Sequence, residues 1–265
     1  MTARLWQELT TEDVAALDRA RTVAVLPAAA VEQHGPHLPL GTDAMINEGV
    51  LARALALAPA DLPMVVLPML SIGASGEHRD FPGTLSLSAR ILLDLVTEAA
   101  EGVVRAGLRK LVLFNSHGGQ PQVLEMVAQD LRTRHGLVVV VANAWRMMDR
   151  EALLPPAERE VGLHAGGFET ALMLHLRPDL VRKDKIRDFP SKARALERDF
   201  PSLAAQGRFA FAWQAQDLNP AGAVGDARLG TAEMGKKLVE SAAVRLVKLV
   251  DELARLPPEA VDRRS

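Results

Sequence analysis

The stretch TVAVLPAAAVEQHGPHLPLGTD, residues 22–43, decides how this chain is read. It opens with TVAVLP (22–27), an apolar, β-branched run too short for a helix and bounded by proline. The run does not alternate with polar residues, so it fits a strand covered on both faces, as in a parallel sheet. Within the next sixteen residues come Glu32, His34, His37 and Asp43. Parallel α/β sheets place their sites at the carboxyl ends of strands, and this polar cluster falls at such an end.

The same grammar recurs outward along the chain. PMVVLPML (63–70), KLVLFN (110–115) and LVVVVANA (137–144) read as further buried strands. Between and after them lie helical patterns. Ile91, Leu92, Leu95, Val96, Ala99, Val103 and Val104 form one apolar face, with Ser88 as N-cap and Gly107 just past the end. Residues 121–134 and 166–176 read as helices. A last helix runs from about Thr231 to Leu256, with Leu238, Leu246, Leu249, Val250 and Leu253 facing inward. Strand and helix in alternation predict a three-layer α/β/α sandwich with a mostly parallel central sheet and right-handed crossovers. Residues 183–230 break the pattern. They are charged, interrupted by Pro190 and Pro201, and poor in large apolar residues, so they are expected to form an irregular excursion from a single domain spanning 1–265.

Composition narrows the chemistry. A net charge of −2 provides no field for nucleic acid or an anionic membrane. With no cysteine, a thiolate nucleophile and zinc–thiolate sites are excluded, so any metal is held by His, Asp or Glu. With no tyrosine, no phenol serves as acid or base. The start MTARLWQELT lacks a basic-then-apolar signal, and no apolar run reaches the length of a membrane span. A cytoplasmic protein without nucleic-acid or membrane partners is expected.

Four strand ends carry the unusual polar residues. Glu32, His34 and Asp43 follow the first strand, and SIGASGEHRDFPGT (71–84), with Glu77 and His78, follows the second. NSHGGQ (115–120), with His117, follows the third; GLHAGGFET (162–170), with His164 and Glu169, comes after the fourth. Each piece alone has a plain structural reading: a polar loop, a turn histidine before glycines, a first-turn acid favouring a helix dipole. Together they supply the carboxylates and imidazoles that suit two divalent ions bridged by one carboxylate. Two cations also remove the mutual repulsion of clustered acids. The all-nitrogen-and-oxygen donor set fits zinc or manganese, and iron(II) is compatible.

The segments LPAAAVEQHGPHLPLGTD, EHRDFPGTLSL, LVLFNSHGGQ, HAGGFETALML and AGAVGDARLGTAEMG, in this order, resemble the successive motifs of the creatininase family. The resemblance covers roughly Leu5 to Val250. It implies an α/β/α sandwich, commonly assembled as hexamers, and a metal-dependent amidohydrolase that breaks amide-type C–N bonds with a metal-bridging hydroxide. The family includes creatinine amidohydrolase, a formamidopyrimidine deformylase and a peptidase of the mycofactocin pathway. Carried over by position, Glu32, Asp43 and His117 resemble the ligands of one metal and His34 and Asp43 those of the second, with Asp43 bridging. His164 resembles the histidine that shuttles a proton to the leaving nitrogen.

The chain also departs from creatinine amidohydrolase. That enzyme has a glutamate two residues after its counterpart of His117, where this chain has Gly119; Glu169 is the nearest replacement, as second-metal ligand or as base. An aromatic residue is replaced by Gly118 and a tryptophan by Glu160, while Trp145 matches a second tryptophan. Losing flat-ring contacts weakens the case for creatinine itself. The expected substrate is a small molecule with a non-peptide or cyclic amide bond, contacted by Glu77, His78, Gly118 and Trp145. Three competing readings remain: a non-catalytic metal-binding scaffold, a peptidase of the mycofactocin type, and a flavodoxin-like nucleotide binder. The last is disfavoured because AAAVEQHG offers an acid where a phosphate would sit. Of the other residues, His37 is read as a substrate contact or, at least as readily, as structural or supporting, His135 as a helix C-terminal partner, His175 as structural, and Arg109 with Lys110 as a surface pair.

Overall fold

The computed structural model describes residues 4–257 except 208; the ends of the 1–265 unit and residue 208 of the excursion lie outside the described residues. Five strands form one sheet: β1 (Arg4–Leu5), β2 (Val23–Ala28), β3 (Met64–Val66), β4 (Lys110–Asn115) and β5 (Val138–Asn143). Their spatial order is β1-β3-β2-β4-β5, and every pairing is parallel. β1 is too short to leave a periodic signal in the sequence. β3 is shorter than the apolar run 63–70 because the chain leaves the ladder after Val66 and returns only as a bridge between Leu70 and Ala28.

Side-chain alternation along each strand feeds two cores. Val23, Val25, Met64, Val66, Val112 and Phe114 pack with the helices Thr42–Leu57, Gly167–Leu176 and Ala232–Arg255. Ala24, Leu26, Val65, Leu111 and Leu113 pack with Ala89–Arg105 and Pro121–His135 on the other face. Both faces are therefore dry, which explains strands with no polar alternation.

Several local signals are realised. Ser88 caps the 89–105 helix by accepting from Ile91 N–H, and Gly136, at φ 68°, closes the 121–135 helix. Thr231 caps the long C-terminal helix. Two expectations are corrected. In the 89–105 helix the buried line is Leu92, Val96, Ala100 and Val103, whereas Ile91 and Leu95 are exposed; the buried line follows the i+4 row from Leu92, and Ile91 and Leu95 lie on the neighbouring row at its flank. Lys110 is not a surface residue but 2% exposed. Its Nζ donates to the carbonyls of Ala254 (3.1 Å) and Leu256 (2.8 Å), satisfying the end of the 232–255 helix.

Strand order positions the site. β2 has β3 on one side and β4 on the other, so the chain reverses its direction of sheet growth about β2. The crevice beyond the carboxyl ends of β2 and β4 is the switch point where such sheets bind ligands. The excursion contributes a small antiparallel pair, Asp188–Phe189 with Gly225–Asp226, and the bridge between Val224 and His164 ties it to this crevice. No helix among the described residues is long and apolar enough to cross a membrane.

Candidate metal centre

Residues from five places in the chain converge at this crevice. Glu32 and His34 lie in the loop after β2, and Asp43 in the first turn of the 42–57 helix. His117 follows β4, Glu77 and His78 lie in the short turn Gly76–His78, and Glu169 lies in the first turn of the 167–176 helix. Neighbouring amides and hydroxyls fix these loops. Asn47 Nδ2 donates to the carbonyls of Ala28 and Phe114, both at 3.1 Å, binding the 42–57 helix to β2 and β4. Ser116 Oγ donates to Asp43 O at 2.9 Å. Asn115 accepts from His117 N–H (3.1 Å) and donates to His117 O (2.8 Å), setting the turn that carries the imidazole.

The hydrogen bonds of the histidines define which nitrogens remain free. Backbone carbonyls can only accept, so His34 donates from Nδ1 to Glu32 O (3.1 Å), His117 from Nε2 to Ala74 O (3.0 Å), and His164 from Nε2 to Gln33 O (2.7 Å). When the rings are neutral, the opposite nitrogens carry lone pairs toward the acids, the arrangement that orients metal-binding histidines. His34 Nε2 lies 3.5 Å from Asp43 Oδ1 and 3.9 Å from Glu169 Oε2. His117 Nδ1 lies 3.2 Å from Asp43 Oδ2 and 3.3 Å from Glu32 Oε1. His164 Nδ1 lies 3.8 Å from Glu32 Oε1, and its ring lies between those of His34 and His78 at 4.2 and 4.1 Å between centroids.

Electrostatics follow from this crowding. Burial pushes the His34 pKa down, but Asp43, Glu169 and Glu32 outweigh it and raise the value to about 9. His117 is likewise raised: burial opposes, and Glu32 and Asp43 prevail. Burial pushes the Asp43 carboxyl up, yet the His117 and His34 contacts hold it below the usual range. His164 is lowered, first by burial and then by the charge on His34. In the metal-free chain, protons on two imidazoles therefore stand where cations would balance the acids.

The other expected site residues divide. Gly118 and Trp145 line a cavity of about 790 Å³ that opens onto these groups, with Phe168, Phe211 and Trp213 also on its walls. His78 lines it too, but both its nitrogens are engaged: Nδ1 with Gln33 at 2.7 Å and Nε2 with Glu32 at 3.3 Å. Glu169 accepts from Ala165 N–H and lies on the His34 side, away from Gly119; the side chain beside Gly119 is Glu77. Ala165 itself has φ 52°, a left-handed conformation that is strained for a residue with a side chain. His37 bonds Thr170 at 3.0 Å and stacks on Phe189, burial lowering its pKa to about 4. His135 pairs with Glu101 at the end of its helix, and His175 packs where Gly235 of the C-terminal helix passes.

Sequence reasoning overlooked Glu158. Its buried carboxylate accepts from Gly167 N–H (2.9 Å) and Asp226 N–H (2.8 Å), clasping the loop that carries His164. The three glycines 162, 166 and 225 make room for it: a Cβ on any of them would come within 2.6 Å of Glu158 Oε1. Such scattered glycines facing one acid leave no periodic trace in a single sequence.

The family model described as Creatininase: Creatinine amidohydrolase matches residues 7–250. The chain belongs to the creatininase family. A mycofactocin precursor peptide peptidase from Mycolicibacterium smegmatis is 35% identical over 167 residues, covering 62% of each chain, so this chain spans just under two thirds of that relative. Creatinine amidohydrolase from Pseudomonas putida is 33% identical over 184 residues, covering 63% of this chain and 69% of the relative. Among solved structures, the one described as "Creatininase Mn" has a TM-score of 0.75 at 25% identity, covering 95% of this chain and 99% of that one.

The creatininase-family site of this chain fits divalent metal on its own geometry. Among the described residues, Glu32 with His34 and His164, Glu32 with Glu77 and His117, and His34 with Asp43 and Glu169 each bring ligand atoms within 4.8 Å of one another. Glu32 Oε2, His34 Nε2 and Asp43 Oδ2 are buried without a hydrogen-bond partner. Buried polar atoms without partners are costly, and divalent ions held in this crevice would satisfy them.

Proposed function

We propose that this creatininase-family protein is a metal-dependent hydrolase of an amide-type C–N bond. Glu32, Asp43 and His117 hold one divalent ion, and His34, Asp43 and Glu169 hold the second. The carrying observation is Asp43, whose two oxygens face two different imidazoles, Oδ1 to His34 and Oδ2 to His117. That is the disposition of a carboxylate shared by two ions. Zinc and manganese suit the all-nitrogen-and-oxygen donors, and iron(II) is compatible. Such ions, when bound, polarise a carbonyl and bring the pKa of water toward neutrality.

The protein's own groups do the rest. His164 is anchored through Nε2–H to Gln33 O, leaving Nδ1 to take a proton from water and pass it to the departing nitrogen. Its lowered pKa keeps Nδ1 unprotonated at rest, so it acts as base before it acts as acid. Glu169, tied to Ala165 N–H, acts as ligand and not as base in this reading.

The sequence pointed to a non-peptide or cyclic amide. A cavity of about 790 Å³ is larger than a small ring requires, which supports a second reading: a short peptide segment held against the aromatic walls. The peptidase named among the relatives agrees with that reading. The exposed apolar residues Ile91, Leu95 and Met126 on one layer support a homo-oligomer, read as a hexamer, and the location is read as cytoplasmic. Hydrolysis of creatinine, formamides, lactams and short peptides by zinc- or manganese-loaded protein tests the reading. Full activity after exhaustive chelation would refute it, and metal binding with no turnover of any class would favour a scaffold.

A further inference from the structure

We propose that Glu77 is the carboxylate that completes the Glu32–His117 metal position, delivered from the loop after β3 into the space in front of Gly119. The inference rests on the metal-centre reading above. Glu77 offers a ligand oxygen within the 4.8 Å group that it forms with Glu32 and His117. Its Oε1 lies 3.7 Å from His117 Nε2, the nitrogen bonded to Ala74 O, on the same ring whose Nδ1 faces Glu32 and Asp43. A Cβ built on Gly119 would lie 1.9 Å from Glu77 Oε1 and 2.6 Å from His117 Nε2. The glycine and the glutamate therefore share one volume: residue 119 has no side chain, and the acid of another loop occupies that place.

Two further features point the same way. The turn Gly76–His78 delivers both Glu77 and His78, and His78 Nε2 contacts Glu32, so one turn serves two acids of the same metal position. Glu77 is also the more exposed acid of that group, at 19% against 1% for Glu32, so it faces the cavity from which ions and substrate enter. Charge completes the argument. Glu32, Asp43 and Glu169 carry three negative charges; Glu77 brings a fourth and balances two divalent ions in a buried site. In this reading Glu77 serves the ion from the wall of the cavity that it lines.

The test is metal stoichiometry and affinity, by elemental analysis and calorimetric titration with manganese or zinc alone, on the full chain. The native protein should bind two ions. Glu77→Gln should weaken one binding event by tenfold or more and leave the other unchanged, while Glu77→Asp, which keeps the charge, should lose less. Gly119→Ala should weaken the same event by displacing the carboxylate. Thermal melting of each metal-free variant separates these effects from misfolding. Native affinities for both ions in Glu77→Gln, equal losses in the Gln and Asp variants, or native binding by Gly119→Ala would each overturn the inference. Absence of metal binding by the native chain would instead overturn the metal-centre reading itself.

Discussion

Gln33 determines which proton His78 carries. The amide of Gln33 accepts from Gly35 N–H at 2.9 Å and donates to Gly222 O at 3.0 Å, so its orientation is set. Its Nε2 then donates to His78 Nδ1 at 2.7 Å, leaving the ring proton on Nε2, which faces Glu32 at 3.3 Å. Burial and the neighbouring imidazoles push the His78 pKa down, in keeping with a neutral ring. Replacing Gln33 by Leu removes this control from a proposed ligand carboxylate. Metal affinity should fall by about 10–100-fold, the usual effect of losing a group that orients a ligand. Calorimetric titration reads this directly, and an unchanged affinity would show that Glu32 needs no such support.

Metal binding should displace protons. Without metal, the His34 pKa is about 9 in the folded chain against 6.5 for the ordinary group, so at neutral pH the ion must evict a proton. Titrations in buffers of different ionisation enthalpy should show proton release at pH 7 that diminishes toward pH 9. Release that is absent at pH 7 would contradict the assignment.

The same shift makes the metal-free protein sensitive to alkali. A raised folded pKa means that stability from His34 is complete below pH 6.5 and lost as pH rises toward about 9. Asp43 has the opposite shift, so its contribution is lost on acidification below its ordinary value of 3.8. Melting of chelated protein should therefore move to lower temperature between pH 6.5 and 9, whereas the metal-loaded protein changes little there. Parallel curves for the two forms would contradict this.

His164→Gln should lower kcat by about 10²–10⁴-fold, the range for loss of a proton-transfer group, while leaving two ions bound. Loss of an ion in this variant would recast His164 as a ligand, a role compatible with its 3.8 Å approach to Glu32.

Arg150 bears on the substrate. Its side chain lines the cavity, lies 4.7 Å over the Phe168 ring, and its Nε makes no hydrogen bond among the described residues. A half-buried guanidinium with an unused donor favours an anionic group. Arg150→Met should raise KM for carboxylate-bearing substrates far more than for their neutral amides; equal effects would remove Arg150 from recognition.

Lys110→Met tests the structure away from the centre. It leaves the carbonyls of Ala254 and Leu256 without their buried donor. The expected loss is about 1–3 kcal/mol, read by chemical denaturation, with metal content unchanged.

By itself the sequence determined the layered parallel fold and the strand ends that carry the site. Those features are local: runs of Val and Leu bury both faces of β2 and β4, the valines of the edge strand β5 are half-buried, and polar residues cluster where these runs stop. It also brought forward Glu32, His34, Asp43, His117, His164 and Glu169, all of which meet at one crevice. Only the tertiary structure decided who faces whom. His117 meets Glu32 and Asp43 because β4 lies beside β2, a matter of strand order that no neighbouring residue encodes. The approach of Glu77 to Gly119 depends on two loops separated by a helix and a strand, so no local pattern in the sequence announces it. The burial of Lys110 likewise depends on where a helix more than a hundred residues later ends. Local periodicity follows from burial of each segment's own face, whereas a site is assembled from side chains whose separation only chain packing sets.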